Sequence, residues 1–220
     1  SNATDPVYAT DISVKSATDS PHEVDILSPQ LAAFIASAAE TLKYDLDGNL
    51  IEDGRWGYVY DAENRLVMMF TRGAPGDPDE EESANEAVWD SGVPRRKLIY
   101  RYDSLGRRTA KETWSWVSSA WSKTSDVRFV YQGWNLIAEL DSSGVLERSH
   151  AWGLDIGGTL SGTGGIGALV QSVDHTDSDT AYLPGYDGSG NVTAMMKDDG
   201  TIVAAYEYSP FGKLLRKTGD

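Results

Sequence analysis

Tyr206-Glu207-Tyr208-Ser209-Pro210-Phe211-Gly212-Lys213-Leu214-Leu215 decides the fold, because its design recurs upstream. Side chains alternate along a strand, so Tyr206 and Tyr208 share a face. A turn must follow: Ser209 at its first position, Pro210 at the second and Gly212 at the fourth suit a type I turn closed by a left-handed glycine. Leu214 and Leu215 begin a return strand. Aromatic strand, tight turn and aliphatic strand make a β-hairpin, and the chain reads as mainly β, built of repeated antiparallel hairpins.

Working outward, Tyr44-Asp45-Leu46-Asp47-Gly48-Asn49-Leu50 is one copy and Tyr58-Val59-Tyr60-Asp61-Ala62-Glu63-Asn64-Arg65-Leu66 another. Tyr100-Arg101-Tyr102-Asp103-Ser104-Leu105-Gly106-Arg107 and Tyr186-Asp187-Gly188-Ser189-Gly190-Asn191-Val192 follow. In each, Asp opens the turn and Gly or Asn stands three residues on, where a left-handed backbone is tolerated. Phe129-Val130-Tyr131-Gln132-Gly133-Trp134 is a degenerate copy with Gln132 in the aspartate's place. Asp141-Ser142-Ser143-Gly144 and Lys197-Asp198-Asp199-Gly200 read as turns joining one unit to the next. Trp114 and Trp116 share a face, which predicts a further strand pair with a turn near Ser118-Ser119. The anchoring tyrosines are irregularly spaced, with 16 residues from Tyr44 to Tyr60 and 22 from Tyr186 to Tyr208. A period near twenty with insertions marks a repeat architecture. Tyrosines at one place in every unit are expected to form ladders along the sheet.

The remaining segments divide as follows. Residues 1–3 read as the scar of a removed expression tag, and 4–43 as a polar stretch ending in one short helix near the N-terminus. Ser28-Pro29 followed by Leu31, Phe34, Ile35, Ala38 and Leu42 supplies the N-cap, the first-turn proline and the apolar stripe of that helix. The hairpin domain spans 44–216, with 217–220 a tail. Within it, 73–93 carries Asp77-Pro78-Asp79-Glu80-Glu81-Glu82 and is expected to be a solvated, mobile loop. From Trp152 to Val170 glycines crowd together, as either an irregular loop or glycine-loosened strands.

Composition narrows the function classes. With 220 residues the chain is long enough to bury a sizeable core. Nineteen Lys and Arg against 34 Asp and Glu give a net charge of −15, which disfavours nucleic acid and anionic lipid as partners. No long apolar run suggests a membrane span. Zero Cys removes any disulfide framework. Gly162-Thr163-Gly164-Gly165-Ile166-Gly167 matches the dinucleotide-binding glycine pattern, with Asp187 twenty positions later, but Ala168-Leu169-Val170-Gln171-Ser172-Val173 alternates as a strand where a helix is needed. Asp45-Leu46-Asp47-Gly48-Asn49 begins like a calcium loop yet has Trp56 at the twelfth position, where a bidentate Glu belongs. His22, His150 and His175 show no metal-ligand spacing and no neighbouring nucleophile elbow. Asp198-Asp199 fall at a turn and point apart. No catalytic residue, metal or cofactor is expected, and the chain is expected not to be an enzyme.

Set side by side, the Tyr-Asp-x-x-Gly-Asn/Arg-Leu units and the terminal Tyr206-Glu207-Tyr208-Ser209-Pro210-Phe211-Gly212 resemble the YD-repeat or rearrangement hotspot (RHS) family, in its repeat-associated core region. Gln132-Gly133-Trp134-Asn135-Leu136-Ile137 and Trp152-Gly153-Leu154-Asp155 are also similar to stretches found there. The resemblance implies a long, twisted sheet spiralling into a hollow shell around a variable C-terminal toxin in a bacterial, secreted or surface-displayed parent. It also implies release by self-cleavage near an Asp-Pro-x-Gly-Leu motif. Asp5-Pro6 and Asp77-Pro78 lack that Gly-Leu sequel, so no cleavage residue carries over. The implied partners are the rest of the shell and its toxin. A carbohydrate- or protein-binding module using exposed Tyr and Trp is the alternative. A sheet excerpt with free edges is expected to pair edge to edge with a second copy.

Overall fold

A computed structural model describes residues 7–9, 33–35, 42–72 and 94–219. All elements there are strands, and no helix forms among the described residues. β1 (Val7–Ala9) and β2 (Ala33–Ile35) pair antiparallel with each other. This corrects the helix expected around Phe34 and Ile35: an aromatic and a β-branched residue suit a strand once a partner is at hand. The rest of that helix, and the 73–93 acidic loop, lie outside the described residues.

The other fourteen strands form one antiparallel sheet in chain order. They are β3 (Lys43–Tyr44), β4 (Leu50–Glu52), β5 (Trp56–Tyr60), β6 (Leu66–Thr71), β7 (Arg96–Tyr102), β8 (Arg108–Val117) and β9 (Ala120–Gln132). β10 (Asn135–Leu140), β11 (Leu146–Trp152), β12 (Leu169–Asp174), β13 (Thr180–Tyr186), β14 (Val192–Lys197), β15 (Ile202–Tyr208) and β16 (Leu214–Gly219) complete it. β16 runs three residues past Arg216. Contacts divide the chain into two compact units, Ser1–Tyr100 with Glu112–Ser125, and Arg101–Lys111 with Asp126–Asp220.

One register rule recurs along the sheet. The residue before the turn pairs with the residue after it: Tyr44 with Leu50, Tyr60 with Leu66, Leu140 with Leu146, Tyr186 with Val192 and Tyr208 with Leu214. Five residues lie between the partners each time, and a bulge directly precedes the pair. The Tyr-Asp-x-x-Gly-x-Leu pattern is thus a cross-strand aromatic–aliphatic contact held at the mouth of its own turn, the kind of pair that stabilises a sheet.

A single layer offers little interior. Among the described apolar residues only Phe70, Ala110, Ala168 and Ala204 are buried, so the sizeable core that the length allows does not form there. Cross-strand rows take its place. In the first unit, Gly57, Phe70 and Lys97 are register partners on β5, β6 and β7. Lys97 Nζ stands 5.5 Å from the Trp114 ring centroid and 4.7 Å from that of Trp121, while Lys123 Nζ stands 5.1 Å from Trp114. Trp116 meets Trp121 edge to face at 5.4 Å. Buried Glu112 accepts from Trp114 Nε1 at 3.1 Å and pairs with Lys123 at 3.4 Å. Fully buried Thr71 accepts the Arg96 amide through its hydroxyl, which leaves no orphan polar group at that point.

Candidate functional site

Among the described residues, the same five-residue turn forms at Asp45, Asp61, Asp103, Asp141, Asp155 and Asp187. The aspartate's amide donates to the carbonyl of the fifth residue, and the amide of the fourth donates back to the aspartate's carbonyl. One carboxylate oxygen, Oδ1, accepts the amides of the third and fifth residues at 2.8–3.1 Å. The fourth residue, Gly48, Asn64, Gly106, Gly144, Gly158 or Gly190, has a positive φ between 58° and 86°. Short Asp side chains suit this role because they reach backbone groups two and four residues ahead without strain. Ser209 makes a hydroxyl version, with its Oγ accepting the Lys213 amide, Gly212 at φ 77° and Pro210 in the second position.

The second carboxylate oxygen explains the Asn or Arg at the fifth place. Asn49 and Asn191 donate Nδ2 to Asp45 and Asp187 Oδ2, and Arg65 and Arg107 donate Nε to Asp61 and Asp103 Oδ2. Two of these side chains also reach the next turn along the same rim. Asn49 Nδ2 donates to Asn64 Oδ1 at 2.9 Å, and Arg107 Nη1 donates to the Gly133 carbonyl while its guanidinium lies 5.4 Å from the Tyr131 ring.

These bonds favour the ionised carboxylate. The Asn49 side chain, ahead of the backbone amides, holds Asp45 below the usual carboxylate range, and Asn191 does the same for Asp187. At Asp61 and Asp103 desolvation pushes upward but is outweighed by the amides and guanidinia of Arg65 and Arg107. A pKa depressed on folding stabilises above the unfolded value and is lost as pH falls through the folded one. The melting temperature should therefore hold level from neutrality to about pH 5 and drop below about pH 4. A melting temperature that rises on acidification over that range would contradict this.

Gly106 and Gly190 separate two causes of strain. Both need a left-handed backbone, but a Cβ at Gly106 meets nothing within 4 Å, whereas one at Gly190 falls 2.6 Å from Ile166 Cγ2. Gly106→Ala should lower stability by about 1 kcal/mol from backbone strain alone. Gly190→Ala should lower it further, and equal urea midpoints for the two would show that packing adds nothing.

The tyrosines of the repeat divide by environment. Tyr58 donates its hydroxyl to Asp53 Oδ2 at 2.6 Å, Tyr131 to the Arg108 carbonyl at 3.0 Å and Tyr186 to the Leu169 carbonyl at 2.8 Å. Tyr44 is exposed, Tyr60, Tyr102, Tyr206 and Tyr208 are half-buried, and Tyr100 lies on β7. Tyr58, Tyr60, Asp45 and Asp61 help line an open hollow of about 480 Å³, and Asp187, Tyr206, Tyr208 and Pro210 one of about 410 Å³. Each hollow lies between neighbouring turns. The degenerate copy folds differently: Gln132 pairs with Asn135 across a two-residue loop in which Gly133 has a positive φ, since Gln132 supplies no carboxylate to hold the longer turn.

Two arrangements reach beyond a single turn. Asp155, 5% exposed, anchors the 153–168 loop. Beyond its own turn it accepts the Thr159 hydroxyl and, through Oδ2, the Thr163 amide at 2.7 Å. The Thr163 amide is the leading cause that holds this carboxyl far below the ordinary range. The glycine run serves the same loop: Gly164, Gly165 and Gly167 are left-handed, and strand β12 follows. Its local signal is Asp155-x-x-Gly158-Thr159, which Gly153 and Leu154 set apart from the aromatic end of β11 at Trp152. The second arrangement is Ser149, His175 and Asp179. Ser149 Oγ lies 2.9 Å from His175 Nε2, and His175 Nδ1 lies 2.5 Å from Asp179 Oδ1. Sequence spacing conceals it, because only the register of β11 against β12 brings residue 149 to 175.

The fold and its turns define an antiparallel hairpin repeat clasped by aspartates. No family model matches the chain. Over 175 residues it is 25% identical to a protein named tRNA3(Ser)-specific nuclease WapA from Bacillus spizizenii, and 25% identical to the tRNA nuclease WapA of Bacillus subtilis. A tRNA(Glu)-specific nuclease WapA from Bacillus subtilis subsp. natto is 26% identical over the same length. The match covers 79% of this chain and 6% of each of those proteins. A solved Tc holotoxin pore of Photorhabdus luminescens aligns with a TM-score of 0.48 and 15% identity, over 80% of this chain and 7% of that one. The expectation that the chain is not an enzyme is contradicted by these relatives, which are named as tRNA nucleases. Among the described residues no helix is long and apolar enough to cross a membrane, which bears on helices alone.

Proposed function

We propose that this chain is a wall segment of a much longer secreted or surface-displayed YD-repeat toxin, and that the parent carries nuclease activity. The observation that carries this reading is the repeated clasp, in which carboxylates that could serve chemistry accept the amides of their own turns. The matched relatives support it, since the segment spans only 6% of proteins named as tRNA nucleases. A continuous hydrogen-bonded sheet resists proteases because its backbone groups are already paired. Sugar binding by the tryptophan cluster is the weaker reading, because Lys97 and Lys123 stand over the rings of Trp114 and Trp121.

The test is made on the full-length parent. Asp103→Ala with Asp187→Ala should speed proteolysis of the enclosed region while leaving the specific activity of the isolated nuclease region unchanged. Unaltered proteolysis in the loosened variant would refute the wall role. Absence of nuclease activity from the parent would refute the cargo assignment.

A further inference from the structure

We propose that Ser149, His175 and Asp179 form a nucleophilic site that reacts with activated acyl and phosphyl esters. The site stands apart from the wall reading and survives its failure. Ser149 lies in the interior strand β11, between Ala138 of β10 and Val173 of β12. His175 follows β12, and its amide donates to the Glu147 carbonyl at 2.8 Å, which fixes the backbone beneath the ring. Asp179 sits in the turn before β13 with φ 57°, after Ser178 at φ 52°, and the Thr180 amide closes that turn on the Asp177 carbonyl at 3.0 Å. Both hydrogen bonds of the relay are of normal length or shorter.

The tautomer follows from the donors. A carboxylate accepts and cannot donate, so in the neutral ring Nδ1 carries the proton towards Asp179. Nε2 is then a lone pair, and the Ser149 hydroxyl must donate to it. A nucleophile bonded to a base that is oriented by a third group is the arrangement that activates a serine. His175 is largely shielded while Asp179 is exposed, with side-chain exposures of 24% and 76%, so the relay runs from the sheet outward to solvent.

The step balances without a co-reactant. Ser149 Oγ bonds to the ester carbonyl carbon as its proton passes to Nε2. Nε2–H then protonates the departing alkoxide, and an acyl-serine remains. Water attacks that ester, giving its proton to Nε2, and the acid departs as Ser149 regains a proton. The amides of an interior strand serve the sheet ladder, so the strand lends no ready oxyanion hole. The substrate class is accordingly esters with good leaving groups, such as aryl acetates and fluorophosphonates, and not peptides.

The 220-residue chain is treated with a fluorophosphonate probe, the adduct is located by peptide mass spectrometry, and p-nitrophenyl acetate hydrolysis is followed alongside. The expected result is a phosphyl group on Ser149, formed as Oγ bonds to phosphorus, fluoride departs and the hydroxyl proton passes to Nε2; it is abolished in Ser149→Ala, with labelling slowed about 100-fold or more in His175→Gln. Asp179→Asn can present an N–H to Nδ1 and should switch the imidazole to the Nε2–H tautomer, read from its ¹⁵N shifts, with labelling lost while the circular dichroism spectrum is unchanged. An unlabelled Ser149 in the wild-type chain, or labelling as fast in folded His175→Gln, overturns the proposal.

Discussion

Asp155→Ala is expected to release the 153–168 loop as a unit, with a fall in melting temperature larger than the same change causes at Asp45, Asp103 or Asp187. The clasps share one local design, but only Asp155 extends it. Its Oδ2 holds the Thr163 amide eight residues away, and its neighbours Gly153 and Ile156 bond to Ala168 and Ile166 on the returning side of the loop. Removing the carboxylate, which is itself 5% exposed, leaves the amides of Gly157, Thr159 and Thr163 without their shared acceptor. Three amides lose their acceptor here against two at an ordinary clasp, and one of the three lies across the loop, so more than a local bond is lost. Ala168, 1% exposed, ends the loop and abuts Leu169, the first residue of β12, so loosening should spread into that strand. Hydrogen exchange reads this directly: the Thr159, Thr163 and Ile156 amides should exchange faster by orders of magnitude in Asp155→Ala, and to an intermediate degree in Asp155→Asn, which keeps one acceptor oxygen. Exchange confined to 155–159 would show that the residue is an ordinary turn aspartate.

The contrast between Asp155 and its counterparts also marks how far the sequence could be read. Turns are written locally. Asp103, Leu105, Gly106 and Arg107 lie within five residues and make all the bonds that define the hairpin tip, so type and place follow from the residues themselves. Asp155 has the same local code, yet its strand flanks are replaced by glycines, and the bonds that matter most reach outside the window. Gln132 shows the converse, since flanking strands were legible while the missing carboxylate altered the turn. Ser149 and His175 meet only through the pairing of β11 with β12, and a slip of one residue would send Ser149 to the opposite face. Phe34 and Ile35 fit a helical period in the sequence because nothing local names Val7–Ala9 as a partner. What a five-residue window contains was legible; what strand register decides was not.

Gly57 and Phe70 test register in energetic terms. They are direct cross-strand partners, and a Cβ at Gly57 would lie 2.3 Å from Phe70 Cζ, so the ring occupies the space that any side chain at 57 would take. Phe70 is 5% exposed, one of the few apolar side chains that the described sheet buries. Phe70→Ala should therefore cost about 3 kcal/mol, at the lower end for a buried aromatic because a single-layer sheet lets water refill the gap. Gly57→Ala in the intact chain should cost about 1–3 kcal/mol, since the ring must leave its position. The double variant decides the matter. With the ring gone the new methyl fills part of its space and the unfolded chain loses the freedom of glycine, so Gly57→Ala should turn neutral or stabilising by about 0.5 kcal/mol in the Phe70→Ala background. A coupling of about 1–3 kcal/mol from urea midpoints is the expected result. Additive effects would mean that the ring does not rest on Gly57, and the row joining Gly57, Phe70 and Lys97 would lose its physical basis.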